Sequence, residues 1–168
     1  MIGDRWGVSD DEVARRYPCD EVVPVPVLQA WRGVTVHSTP DGLWPWVVQI
    51  RLAPYSYDWI DNLGHRSPRQ LRALPAPAAG QHFTASANRP LGRILSVSTA
   101  EQLTAGIMGA VMSYVLVPYG DSTRLLLKVV MAKGRWVAPL ICLGDLVMAR
   151  RQLLNLKRLA EQPTAPLA

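Results

Sequence analysis

Hydrophobic and polar positions change period several times along the chain, and each change predicts an element. Ser9-Asp-Asp-Glu12 is a capping box, which predicts a short helix to Arg16 that stops before Pro18. Residues 18–29 hold three prolines and several valines and are expected to be extended. Ala30–Ser38 is β-branched and partly alternating, a first strand. Thr39-Pro40-Asp41 opens a helix in which Leu43, Trp44, Val47, Val48 and Ile50 recur at helical spacing. A second short helix is expected from Ser56 to Leu63, then a surface loop over residues 64–80.

Strand patterns follow near Gln81–Ala85, Gly92–Ser98, Gln102–Met108, Met112–Pro118 and Thr123–Met131. Tyr119-Gly-Asp-Ser122 is a turn that pairs the last two as an antiparallel hairpin. Pro139 opens a final helix to about Gln162, roughly 35 Å long at 1.5 Å per residue. Cys142, Leu146, Ala149, Leu153, Leu156 and Ala160 form its apolar stripe, with Arg151, Asn155, Arg158 and Glu161 away from it. The order predicts an α+β fold: one strand, two short helices, then an antiparallel sheet curved around a long C-terminal helix. One domain spans residues 1–162, and residues 163–168 form a loose tail. The space between such a sheet and its helix is a common ligand site.

Composition narrows the function classes. Hydrophobic residues make up 49% of the 168 and charged residues 18%, the balance of a globular chain. Net charge is +5, and fifteen of the eighteen basic residues are arginine. No Lys/Arg run exceeds two and no zinc-finger, RNP or helix-turn-helix signature occurs, so nucleic acid is not an expected partner. No carboxylate lies between Asp61 and Glu101, whereas Arg66, Arg69, Arg72, Arg89 and Arg93 do. That region is either a solvated surface or a basic rim for an anionic head group or a weak contact with an anionic membrane surface. Cys19 and Cys142 are isolated, which fits a reducing cytoplasm, and no Cys/His cluster has metal spacing. No nucleophile elbow, P-loop or GxGxxG is present, and no cofactor is expected.

Two tryptophan motifs are more specific. Leu43-Trp-Pro-Trp-Val-Val-Gln49, Tyr55-Ser-Tyr-Asp-Trp59, the late strand Ser113-Tyr-Val-Leu-Val-Pro118 and the helix Gly144–Leu154 resemble the SRPBCC superfamily. This group contains the START-like, polyketide cyclase/dehydrase and helix-grip proteins, and the likeness is to an uncharacterised actinobacterial-type branch. It runs from about Trp6 to Glu161. Here only Ile50–Pro54 joins the two motifs, which implies a shorter loop at the cavity entrance. The resemblance implies a helix-grip fold around a hydrophobic pocket and no single activity.

The expected function is binding of a hydrophobic small molecule: a lipid, polyketide or similar apolar metabolite. Candidate ligand-binding residues are Trp44, Trp46, Gln49, Tyr55, Tyr57, Trp59, Tyr114 and Leu146. Helical spacing turns Trp46 about 200° from Trp44, so the two are not expected to point into the same core, and at least one is expected to meet the second helix or a cavity. Gln49 either enters the pocket or caps its helix. One alternative function is a cyclase/dehydratase-type enzyme using Asp58, set among Tyr55, Tyr57 and Trp59, as acid or base, and another is an anionic membrane-surface or protein-interaction module using the Arg66–Arg93 region. Asp58 reads equally as a first-turn helix carboxylate.

Overall fold

A computed structural model describes residues 3–133 and 138–162; side chains of 138–146 lie outside the description. Six strands form the main sheet in the order β1-β2-β8-β7-β6-β5. They are β1 (Arg5–Trp6), β2 (Leu28–Val36), β5 (Arg93–Ser98), β6 (Gln102–Ile107), β7 (Ala110–Tyr119) and β8 (Ser122–Met131). All neighbours are antiparallel except β1 and β2. Helix α5 (Ala138–Ala160) packs against β2 and against α3 (Pro40–Val48).

The expected α+β architecture is the observed one. The β7–β8 hairpin turns through Gly120 and Asp121, with Tyr119 opposite Ser122. Gly120 has φ +57°, the left-handed first position that a two-residue loop can demand. Helix α1 (Asp10–Ala14) carries the capping box, Ser9 accepting from the Glu12 N–H at 3.2 Å and Glu12 accepting from the Ser9 N–H at 2.9 Å. Thr39 caps α3 through the Gly42 N–H at 3.2 Å.

Three expectations change. Residues 18–29 are not extended throughout, because Pro18–Val22 form helix α2. Pro18 stands at its first position, where a missing N–H costs nothing, and Asp20 accepts from the Tyr17 N–H at 2.9 Å. The strand expected at Gln81–Ala85 forms at Thr84–Ser86 (β3), and it pairs with Arg89–Leu91 (β4) in a separate two-stranded sheet. The second short helix shrinks to Asp58–Asp61 (α4).

Strand alternation decides the layers. On β8, Leu125, Leu127 and Val129 join the large cluster under α3 and α5, while Leu126 and Val130 turn to the other face. There they meet Tyr17, Cys19 and Trp31 beneath α2. Because both faces are covered, β8 reads as a nearly unbroken apolar run. Lys128, only 4% exposed, is the charge in that run; its Nζ is 2.5 Å from Asp20 Oδ1 and 5.0 Å from the Trp31 ring centroid.

Candidate functional site

The concave face of the sheet and α5 do not close completely. Between them lies a cavity of about 220 Å³. Ile107, Met112, Tyr114, Leu127 and Val129 form its sheet wall, and Met148, Ala149 and Gln152 its helix wall. Phe83 and Thr84, with Ile50, Pro54, Ser56 and Asp61, complete the lining. Alternation along β7 and β8 puts Met112, Tyr114, Leu127 and Val129 on this face. Helical spacing does the same for Ala149 and Gln152.

Most polar atoms in the cavity wall are satisfied within the fold. Tyr114 Oη donates to Gln152 Oε1 at 2.6 Å, and Gln152 Nε2 donates to the Pro54 carbonyl at 2.6 Å. Thr84 Oγ1 donates to the Ile50 carbonyl at 2.8 Å, and Ser56 Oγ contacts Met148 Sδ at 3.5 Å. Asp61 is the exception, for its Oδ1 is buried without a hydrogen-bond partner. Burial pushes its carboxyl above the usual carboxylate range, against the lowering effect of the Ser56 hydroxyl. The chamber is thus an apolar space with an oriented Tyr–Gln pair and one under-satisfied acid.

The residues singled out from the sequence divide among four places. Tyr114 lines the cavity. Leu146 lies on α5, with its side chain outside the described residues. Trp44 and Trp46 are both buried in the main core, so the expectation that they could not share one core does not hold. Helix α3 is wrapped on more than one side: it packs against α5 and the sheet, and Leu71 and Leu74 join the same cluster. Gln49 is fully buried and ties the loop to the helix end. Its Nε2 donates to Tyr55 Oη at 2.6 Å and to the Gln70 carbonyl at 3.0 Å, and its Oε1 accepts from the Arg72 N–H at 2.8 Å.

Tyr55, Tyr57, Asp58 and Trp59 gather at a second, polar cleft beside α5. Tyr55 is buried, and burial pushes its hydroxyl up to about 12. Asp58 accepts from Ser67 twice, from the N–H at 2.9 Å and from Oγ at 2.5 Å, anchoring the loop that follows α4. Trp59 is 74% exposed. Of the basic region, Arg69 lines this cleft, Arg89 stands on β4, and Arg93 donates to the Gly80 carbonyl at 3.1 Å.

Asp61, Gln152 and Phe83 were not legible as cavity residues. Gln152 had a usable signal, a polar residue bordering the apolar stripe of α5. Phe83 had none, because β3 leaves the main sheet. Among the described residues no group of three His, Cys, Asp or Glu side chains is placed to hold a metal ion. Among them, too, no helix is long and apolar enough to cross a membrane.

No family model matches the chain, and no curated protein matches it. Solved structures do. Protein MLL2253 from Mesorhizobium loti is 15% identical with a TM-score of 0.54, covering 78% of this chain and 95% of its own. Protein NE0264 from Nitrosomonas europaea is 12% identical with a TM-score of 0.54, covering 81% and 96%. The Polyketide_cyc-like protein Cgl2372 from Corynebacterium glutamicum is 12% identical with a TM-score of 0.50, covering 83% and 94%. At such identities the likeness is one of fold: an α+β chain whose mostly antiparallel six-stranded sheet carries a C-terminal helix, as in the Polyketide_cyc-like structures.

Proposed function

We propose that this protein binds a small, compact apolar molecule in the cavity between the sheet and α5. The observation that carries the reading is the cavity itself: apolar walls, a few convergent polar groups, and a position between the layers of the fold. Its size restricts the ligand. An apolar cavity of ~150 Å³ holds one benzene ring, so about 220 Å³ suits a substituted single ring or a short branched chain. A steroid or a full-length acyl chain is too large without rearrangement. A ring-sized ligand burying ~150–250 Å² gains about 4–6 kcal/mol from apolar burial. After the costs of association, dissociation constants in the high-micromolar to millimolar range are expected for plain rings. Groups that hydrogen-bond Asp61 or Gln152 should bind more tightly.

Ligand-observed NMR with indole, p-cresol and toluene tests this directly. Saturable binding by at least one, with palmitate excluded, is the expected result. If none binds at millimolar concentration, the space is a packing defect rather than a site.

A second reading, an acid–base enzyme, is favoured by Asp61 rather than by Asp58. Asp58 spends both oxygens on Ser67, whereas Asp61 faces the cavity with a buried oxygen unsatisfied. A carboxyl whose burial favours the protonated form is suited to proton transfer. The same environment sets a pH dependence. With its folded-state value raised, Asp61 binds a proton more tightly in the folded chain than in the unfolded one. Stability therefore falls as pH rises from the ordinary carboxylate value through the raised one. Asp61→Asn should melt higher than the parent at pH 7, and the gap should close in acid below the ordinary carboxylate range. A gap independent of pH, in a melting series from pH 3 to 8, would contradict the raised value. Loss of turnover in the same variant, with ligand binding retained, would favour the enzyme over the carrier.

A further inference from the structure

On the flank of α5, next to the apolar cavity and sharing Ser56 with its lining, the polar cleft has a volume of about 270 Å³. Arg151, Asn155 and Arg158 enter it from α5, where i, i+4 and i+7 spacing puts all three on one face. Arg69 enters from the loop after α4, and Tyr57 and Trp59 supply aromatic surface. Arg151 lies over the Tyr57 ring, 5.6 Å from its centroid. Arg158 Nη2 reaches Asn155 Oδ1 at 3.5 Å, while the Asn155 amide donates to the Tyr55 carbonyl at 2.9 Å.

The cleft gathers positive charge from two elements, α5 and the loop after α4, into one partly enclosed space. Elsewhere, Arg5, Arg16, Arg124, Lys128 and Lys157 each have a carboxylate partner. Arg69, Arg151 and Arg158 have none among the described residues. The single carboxylate lining the cleft, Asp58, is turned to the Ser67 N–H and hydroxyl. Three guanidinium groups against one engaged carboxylate leave the cleft with a net charge of +2. Guanidinium donors in a partly enclosed space hold oxyanions by charge-assisted, often bidentate hydrogen bonds.

We propose that this cleft is a binding site for a phosphate group, carried either by a free phosphate monoester or by a lipid head group. The site adjoins the apolar cavity at Ser56 and takes a different chemical class of ligand. Aromatic surface at Tyr57 and Trp59 favours an ester with a flat organic substituent over the bare ion.

The test uses the full chain at low ionic strength with two probes. One is phenyl phosphate, followed by calorimetry. The other is phosphatidylcholine vesicles with and without phosphatidic acid, followed by co-sedimentation. Saturable binding of phenyl phosphate identifies free esters as the source; binding only to the phosphatidic acid vesicles identifies the head group. In either case Arg151→Gln and Arg158→Gln should each weaken binding about tenfold or more, and the double variant should abolish it. Both side chains are exposed, so circular dichroism should remain that of the parent. The pair Arg89→Gln/Arg150→Gln removes the same charge outside the cleft and should leave binding unchanged. Failure of both probes, or binding that survives Arg151→Gln/Arg158→Gln, overturns the proposal.

Discussion

Lys128→Met is expected to cost the fold about 3 kcal/mol, the lower end of the range for breaking a buried ion pair. Lys128 lies between Leu126 and Val130 on the face of β8 that α2 covers. Its Nζ is 2.5 Å from Asp20 Oδ1 and stands over the Trp31 and Tyr17 rings at 5.0 and 5.5 Å. Methionine keeps the length of the stem and its packing. What it removes is the charge, leaving the Asp20 carboxylate about three-quarters buried without a cation. The loss should be local, loosening α2 from the sheet before the rest of the fold opens. Asp20→Asn in the same chain should recover part of the loss, because the neutral amide still accepts from the Tyr17 N–H. Urea denaturation of both single variants and the double variant measures this. Equal costs for Lys128→Met with and without Asp20→Asn would show that packing, not the stranded charge, sets the effect.

Ala149→Phe is expected to abolish uptake of single-ring ligands, at least a hundredfold, in a chain that remains folded. Ala149 is 6% exposed and faces the cavity from the middle of α5. A phenyl ring on that Cβ takes the volume a ring-sized ligand needs, since one benzene occupies most of a ~150 Å³ space. Overpacking a filled core typically costs about 1–3 kcal/mol. Here a chamber of about 220 Å³ receives the ring, and the apolar area it buries offsets that cost. The melting temperature should therefore change little while binding disappears. A variant that melts like the parent and still binds indole would place the ligand elsewhere.

The reach of the sequence differs between the fold and the site. Local periodicity carried the β7–β8 hairpin, α3 and α5, because period and capping chemistry act over a few residues. Ser9 with Glu12, and Thr39 with Gly42, are contacts three residues apart. Helix α2 does not follow from the local pattern, because three prolines in residues 18–29 favour extended chain, and its Tyr17–Asp20 contact is a feature of the structure. The tryptophan motif marked a position of consequence but not its role. Trp44 and Trp46 are buried in the main core, while Asp61 and Gln152 face the cavity.

The sequence by itself determined the order of β2, α3, β5 to β8 and α5, the α+β class and the amphipathic α5, because each follows from side chains a few positions apart. Tertiary structure alone decided which residues share a space. Tyr114 meets Gln152 across 38 positions, and the Gln152 amide reaches the Pro54 carbonyl across 98. Arg69 joins Arg151 and Arg158 only once the loop after α4 lies against α5. Such meetings depend on how the sheet curves and where α5 crosses it. Strand twist and packing over the whole core set both, and no short stretch of sequence records them.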